Sequence, residues 1–367
     1  MKVPLNTWLV DPLDAEVAKA IDRVRRADDV QQVAVMPDVH LAKQVCVGLV
    51  VATSRLIYPQ AVGGDIGCGM ATLALDAGVD LIEDPLQAAK VLESFATRIP
   101  ILKQARPEAS LPIAGTLSQA RLDRLAQREG RFQLGTLGRG NHFLELQGDD
   151  EGRLWICVHS GSRAMGRAIM THYLGASTSK LVALDAESQE GQDYLRDHDW
   201  ALAYAKLNRR RILEAAVESL DEIFGVTVQP ESHLECHHNQ VRRETHGGQD
   251  YWVHRKGAMS ARDGEAGIIP GSMGSASFQV EGRGCAEALC SSSHGAGRVG
   301  SRHAARSRIT VRDLYREMQG VWFDHRRGHQ LCDEAPSAYR DISKVMRAQR
   351  ALTRITRTLH PRLSYKG

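Results

Sequence analysis

The residues able to do metal, acid–base or phosphate chemistry are scattered along almost the whole chain. Asp65 with Cys68, then His142, His159, the His237-His238 pair and His294, sit in separate short motifs of small and polar residues. A fold that gathers them must close both halves of the chain around one centre. No repeat, low-complexity linker or sharp change of composition precedes residue 298. One mixed α+β domain spanning 1–367 is therefore expected, ending in a basic segment 298–367.

Apolar periodicity divides the chain into alternating elements. Helices are expected over 15–26, 84–97, 115–129 and 190–224, and again over 300–318 and 340–358. Strand patterns occur at Val33–Met36, which runs on to Asp38 and His40, at Val45–Thr53, Phe143–Leu146 and Leu154–Val158, and near residues 226–228, 251–253 and 277–280. Several candidate site residues fall at the ends of these runs.

Seven cysteines with no Cys-x-x-Cys pair argue against a disulfide framework or a zinc knuckle and suit a reducing cytoplasm. No apolar run approaches the ~18 residues of a membrane span, and Asp11 and Asp14 come too early for a secretory leader. From Arg298 onward there are 16 Lys and Arg against 6 Asp and Glu, whereas the remainder carries 31 against 38. That asymmetry suggests a polyanionic partner, or else arginines on solvated helix faces. On a helix over 340–358, Arg347, Arg350, Arg354 and Arg357 would form a stripe for docking the charges of such a partner.

Ser291-Ser292-Ser293-His294-Gly295-Ala296-Gly297-Arg298 sets an imidazole in a glycine turn beside an arginine, with Arg302 and Arg306 spaced to follow along one helix face. This combination suits a histidine working on a phosphate, with a backbone cradle and guanidinium clamps. Asp65-Ile66-Gly67-Cys68 offers a carboxylate and a thiolate to one metal; a buried turn with an inert cysteine is the alternative. His142, beside Asn141 and ahead of Glu145, and His159 in His-Ser-Gly-Ser-Arg163 supply imidazoles, and Cys236-His237-His238-Asn239 supplies two more, only one of which need be a ligand. This mixed donor set exceeds one tetrahedral structural zinc, so an open or two-metal site is expected, with Cys68 able to bridge. Arg255-Lys256 and the small-residue loop from Gly267 through Pro270, Gly271, Ser272 and Met273 to Ser277 could hold phosphate or base, although the loop lacks a P-loop ending.

Together these motifs, with Met36-Pro37-Asp38-Val39-His40 at their head and Lys366-Gly367 at their end, resemble the RtcB family of RNA ligases in family order. The resemblance implies an α+β domain with a β-rich core and flanking helices. It implies joining of RNA 3′-phosphate or 2′,3′-cyclic-phosphate ends to 5′-hydroxyl ends, with His294 becoming guanylylated. GTP contacts would come from Asn141, His142, Phe143, Leu144, Glu145, His238, Asn239, Pro270, Gly271, Ser272, Met273, Ser277, His294, Gly295, Ala296, Gly297 and Lys366. Asp65, Cys68, His142, His159 and His238 would bind manganese as two ions, and Arg163, Lys256, Arg298 and Arg302 would bind RNA or phosphate oxygens.

The first motif continues Leu41-Ala42-Lys43-Gln44, where family members often carry glycines, and is similar to that of a shorter bacterial RNA-repair branch. The native RNA, the oligomeric state and the need for an activating partner protein stay open. So do three rivals: an end-capping guanylyltransferase, a metal phosphodiesterase and a non-catalytic RNA-end binder.

Overall fold

The computed structural model describes residues 3–175 and 180–367. Its centre is a seven-stranded antiparallel sheet. Across the sheet lie Ala266–Ile269, Ser277–Gly282, Thr353–Lys366, Phe143–Asp149, Arg153–Ser160, Gly69–Gly78 and Val228–His237. The two outermost strands touch, so the sheet nearly closes on itself. Side chains alternate across it, as the pleat requires. Leu144, Leu146, Leu154, Ile156 and Val158 face outward into a core completed by helices Pro85–Arg98 and Gln189–Phe224. Glu145, Gln147 and Ser277 face inward and hydrogen-bond one another through Gln147 Nε2, at 2.7 Å to Glu145 and 3.0 Å to Ser277. Because both faces are covered, the strand Arg153–Ser160 reads as a continuous apolar run rather than an alternating one.

A second, five-stranded sheet runs Leu5–Thr7, Val30–His40, Val47–Thr53, Gln249–Lys256 and Asn239–His246. Only its first pair is parallel. It meets the large sheet where the chain passes from His237 to Asn239, and its longest strand carries Asp38 to the junction. A two-stranded ladder, Ala258–Ser260 with Ser291–Ser293, delivers His294 to the same place.

The expected helix over 190–224 is present almost to the residue, capped by the Ser188 side chain and ended by Gly225 in the left-handed region. The expected helix over 340–358 is not. A helix covers only Ile342–Ala348, and the chain then becomes the long strand Thr353–Lys366. Thr353, Ile355, Thr356 and Thr358 are β-branched and suit a strand between two partners. The arginine stripe is thereby dismantled: Arg354 pairs with Glu281 at 2.8 Å and Arg357 with Asp149 at 2.6 Å. The helix over 115–129 starts at Ala120, and that over 300–318 is two short helices, Arg302–Arg308 and Val311–Glu317.

Candidate active site

Four neighbouring strands of the large sheet end at one edge, and each brings one donor there. His142 precedes Phe143–Asp149, His159 is near the end of Arg153–Ser160, Cys68 precedes Gly69–Gly78, and His238 follows Val228–His237. Asp65 joins them from the turn before Cys68, closed by Cys68 N–H donating to the Asp65 carbonyl at 3.0 Å. Antiparallel pairing at a common edge thus converges residues far apart in sequence. Cys68 Sγ lies 3.4 Å from His142 Nε2 and 3.2 Å from His159 Nε2. His159 Nε2 lies 3.2 Å from His238 Nε2, and His142 Nε2 lies 3.0 Å from Asp65 Oδ2. Two triads result, Cys68–His159–His238 and Asp65–Cys68–His142, each with its donor atoms within 4.8 Å of one another and sharing the thiol.

The second row of contacts fits a metal. His142 Nδ1 sits 3.1 Å from the Leu137 carbonyl and His159 Nδ1 sits 2.9 Å from the Asn141 carbonyl. For His159, a proton on Nδ1 leaves the Nε2 lone pair directed at the cluster, the tautomer a metal ligand needs. His159 and His238 turn their Nε2 atoms toward each other at 3.2 Å, where a cation could accept both, and Asp65 Oδ1 is buried with no partner among the described residues. Without a cation, burial and then the neighbouring His142 hold His159 neutral. Burial and then Asp65 push the Cys68 thiol well up. For Asp65 burial opposes ionisation, but the His142 hydrogen bond and the charges of His142 and Arg163 hold it at about 2.

Arg209, fully buried on the long helix, braces the edge from beneath. It donates to the Gly67 carbonyl at 2.8 Å and the Ser160 carbonyl at 2.9 Å, with Glu235 as counter-ion. The sequence reading missed it, because one arginine on a polar helix carries no local signal. Arg163 starts the helix Arg163–Leu174 with φ 56°, and its Nη1 lies 3.0 Å from His142 Nδ1. It lies over Gly138, where an added Cβ would stand 2.3 Å from the guanidinium. Arg163 therefore supports a donor and does not line the pocket.

The pocket beside the cluster is lined from the other side by the His294 loop. His294 Nδ1 is 2.6 Å from Asp38 Oδ2, on a fully buried carboxylate. Asp38 accepts that proton, so Nε2 is the nitrogen left with a lone pair. The loop can press this close because Gly297, at φ 72°, has no Cβ; one would stand 2.4 Å from the Asp38 carbonyl. The His238 and His294 rings lie 4.7 Å apart, which puts the free imidazole beside the donor cluster.

Most other sequence-expected residues are brought together. Asn141, Phe143, Asn239, Lys256, Pro270 through Met273, Gly295 through Gly297, Arg298, Arg302 and Lys366 all line this pocket. Some are already engaged. The Asn239 amide donates to the Asp65 carbonyl at 3.0 Å and accepts from Gly257 N–H at 2.8 Å, so it ties the metal turn to the Lys256 strand. Leu144 lies in the apolar core on the opposite face. Glu145 and Ser277 sit in the sheet interior below the pocket, where burial raises Glu145 to about 7.

The sequence reading also missed Glu334, a carboxylate buried at the pocket wall. It accepts from Lys366 at 2.5 Å, Tyr339 at 2.8 Å, Arg298 at 3.4 Å and, closely, from Arg302. Asp333 takes Arg302 and Arg306 at 2.8 and 3.0 Å. Arg298 precedes the helix rather than starting it, so the three arginines converge through these two acids instead of along one helix face.

Residues 21–112 and 103–367 match the family described as tRNA-splicing ligase RtcB. An RNA-splicing ligase RtcB of Escherichia coli strain K12 is 36% identical over 99% of this chain and 97% of its own length. A tRNA-splicing ligase RtcB of Archaeoglobus fulgidus is 28% identical over 93% of this chain and 89% of its own. A profile match along nearly the whole length and a full-length relative agree with the donor cluster and the histidine loop: the chain belongs to the RtcB family of RNA ligases.

Proposed function

We propose that this protein joins RNA 3′-phosphate or 2′,3′-cyclic-phosphate ends to 5′-hydroxyl ends, using GTP and manganese, through a guanylylated His294, in RNA repair or tRNA splicing in the cytoplasm. The observation that carries the reading is the Asp38–His294 pair beside the shared-thiol cluster. His294 Nε2 attacks the α-phosphorus of GTP, and pyrophosphate leaves. Asp38 holds the Nδ1 proton and steadies the positive charge that grows on the ring. The GMP passes to the RNA 3′-phosphate, and the 5′-hydroxyl then displaces it; a cyclic end is first opened by water.

Asp65, Cys68, His142, His159 and His238 would hold the ions, whose chemistry is to neutralise phosphate charge and polarise phosphorus. Raw affinity order would favour later metals than manganese, so availability and site geometry must select it. Lys256, Arg298 and Arg302 would meet phosphate oxygens, and Lys366 would exchange Glu334 for the nucleotide. Among the described residues no helix is long and apolar enough to cross a membrane.

Intact mass after incubation with GTP and manganese tests the proposal. A gain of one GMP that is acid-labile, alkali-stable and absent in His294→Ala supports it. An adduct that persists in His294→Ala overturns it. Gel analysis of defined RNA ends separates joining from capping, hydrolysis or mere binding.

A further inference from the structure

Arg298, Arg302, Arg306, Arg354 and Arg357 of the basic C-terminal segment are already held by carboxylates, whereas Arg347 and Arg350 are exposed without one among the described residues. A separate groove is lined by Arg121, Arg124, Arg128, Arg167 and His172 above a floor that includes Leu125 and Ala168. Arg121, Arg124 and Arg167 are exposed, and no carboxylate lies in ion-pair range of them among the described residues. Arg128, with 79% of its side chain exposed, touches only Glu129 at 3.7 Å, and Lys103 holds that acid more closely, at 2.7 Å.

The groove is set by how two helical stretches pack. Leu122 and Ala126 of the stretch 120–130 share a core with Met165 and Ile169 of the helix Arg163–Leu174. Arg121, Arg124 and Arg128, spaced by three and four, are thereby left along one rim, with Arg167 and His172 on the other. The second helix also packs directly behind the wall of the active pocket. A Cβ on Gly64, which lines that pocket, would lie 3.3 Å from Met170 Sδ and 3.9 Å from the Arg167 Cα.

We propose that this groove holds the phosphate backbone of the RNA strand whose end occupies the active pocket. The inference rests on the ligase reading and adds to it where the RNA body runs. Uncompensated guanidiniums on facing rims repel one another in the free protein. A polyanion removes that repulsion, releases its own counterions and offers paired oxygens to each guanidinium. The apolar floor suits ribose and base faces. An acidic protein surface is the competing occupant.

The test uses the full chain with Arg121, Arg124 and Arg128 all changed to glutamate, and a second variant with all three changed to glutamine in case reversal impairs folding. Both should label with GTP as the parent does and join very short RNA ends as well. Their affinity for a long broken stem-loop should fall on the order of tenfold near physiological salt. The slope of log affinity against log salt should shrink by about two, at roughly 0.7 per lost single-strand phosphate contact. Unchanged affinity and slope for the long RNA would overturn the groove assignment, as would equal loss on long and short ends. A parent protein that neither labels nor joins would instead sink the ligase reading itself.

Discussion

Asp38 Oδ2 lies 2.6 Å from His294 Nδ1, on a carboxylate with no exposed side-chain surface. The two residues are joined only by folding: one ends a strand of the five-stranded sheet, and the other follows a two-stranded ladder. The contact decides which imidazole nitrogen keeps a free lone pair. Asp38→Asn keeps the shape but can offer its amide N–H to Nδ1, favouring the tautomer with the proton on Nε2. Guanylylation should slow by a factor of roughly 10²–10⁴, in line with related carboxylate–histidine pairs. Single-turnover labelling with radioactive GTP measures it, and a rate within a few-fold of the parent would show that Asp38 only fills space.

Cys68 is the atom both donor triads share. Cys68→Ser replaces a thiolate by a weak neutral hydroxyl and should cost both positions at once, whereas His238→Ala removes a donor from one triad only. Manganese or zinc titration followed by metal analysis of the desalted protein reads this without turnover. We expect metal content to fall much further in Cys68→Ser than in His238→Ala, with affinity lower by at least about tenfold. Equal retention of metal in both variants would make Cys68 a packed core residue.

Lys256 lines the pocket with its ammonium group donating to the Val45 carbonyl at 2.7 Å, and burial lowers its pKa from 10.5 to about 8. Burial disfavours the charged form, so the native state releases this proton before the unfolded chain does. The cost of charging it is full below pH 8 and is relieved between about 8 and 10.5, so this term makes stability rise with pH in that window. The same shift leaves a reactive neutral amine near pH 8. Acylation of Lys256, followed by peptide mapping, should show a midpoint near 8 and be slowed by pyrophosphate. A midpoint near that of an ordinary exposed lysine would remove Lys256 from the phosphate-binding set.

The donor residues were legible in the sequence because each sits in a short motif at the end of an apolar run. What brings them together was not, since the common edge is created by pairing among strands distant along the chain. Asp38 was visible within its motif, but its contact with His294 depends on the meeting of two sheets. Glu334 and Arg209 carry no local mark. Each is defined by partners, Lys366 and Arg302 for one and the Gly67 and Ser160 carbonyls for the other, that lie far away in sequence. The final strand was misread for a different reason. Arginines at three and four mimic a helix face, and they outweighed the alternating Thr353, Ile355 and β-branched neighbours that mark a strand.

Arg357 in the final strand gives a further prediction. Its guanidinium lies 4.9 Å from the Trp155 ring centroid and 2.6 Å from Asp149 Oδ2, an oxygen that also accepts from Trp155 Nε1 at 2.9 Å. Asp149 further accepts from Arg153 N–H at 2.9 Å, so the cluster ties the final strand to the hairpin that carries His159. Arg357 is thus a structural cation. Arg357→Glu would set two carboxylates against each other over a tryptophan and should destabilise the fold by about 1.5–3 kcal/mol, the scale of a charged hydrogen bond, because Asp149 is buried but Arg357 only partly so. Arg357→Met, which keeps apolar packing on Trp155, should cost less. Under conditions where the variants are folded, the salt dependence of RNA binding should match the parent. Urea melts with parallel binding titrations separate the two effects. A variant with parental stability but a flatter salt slope would return Arg357 to the RNA-binding surface.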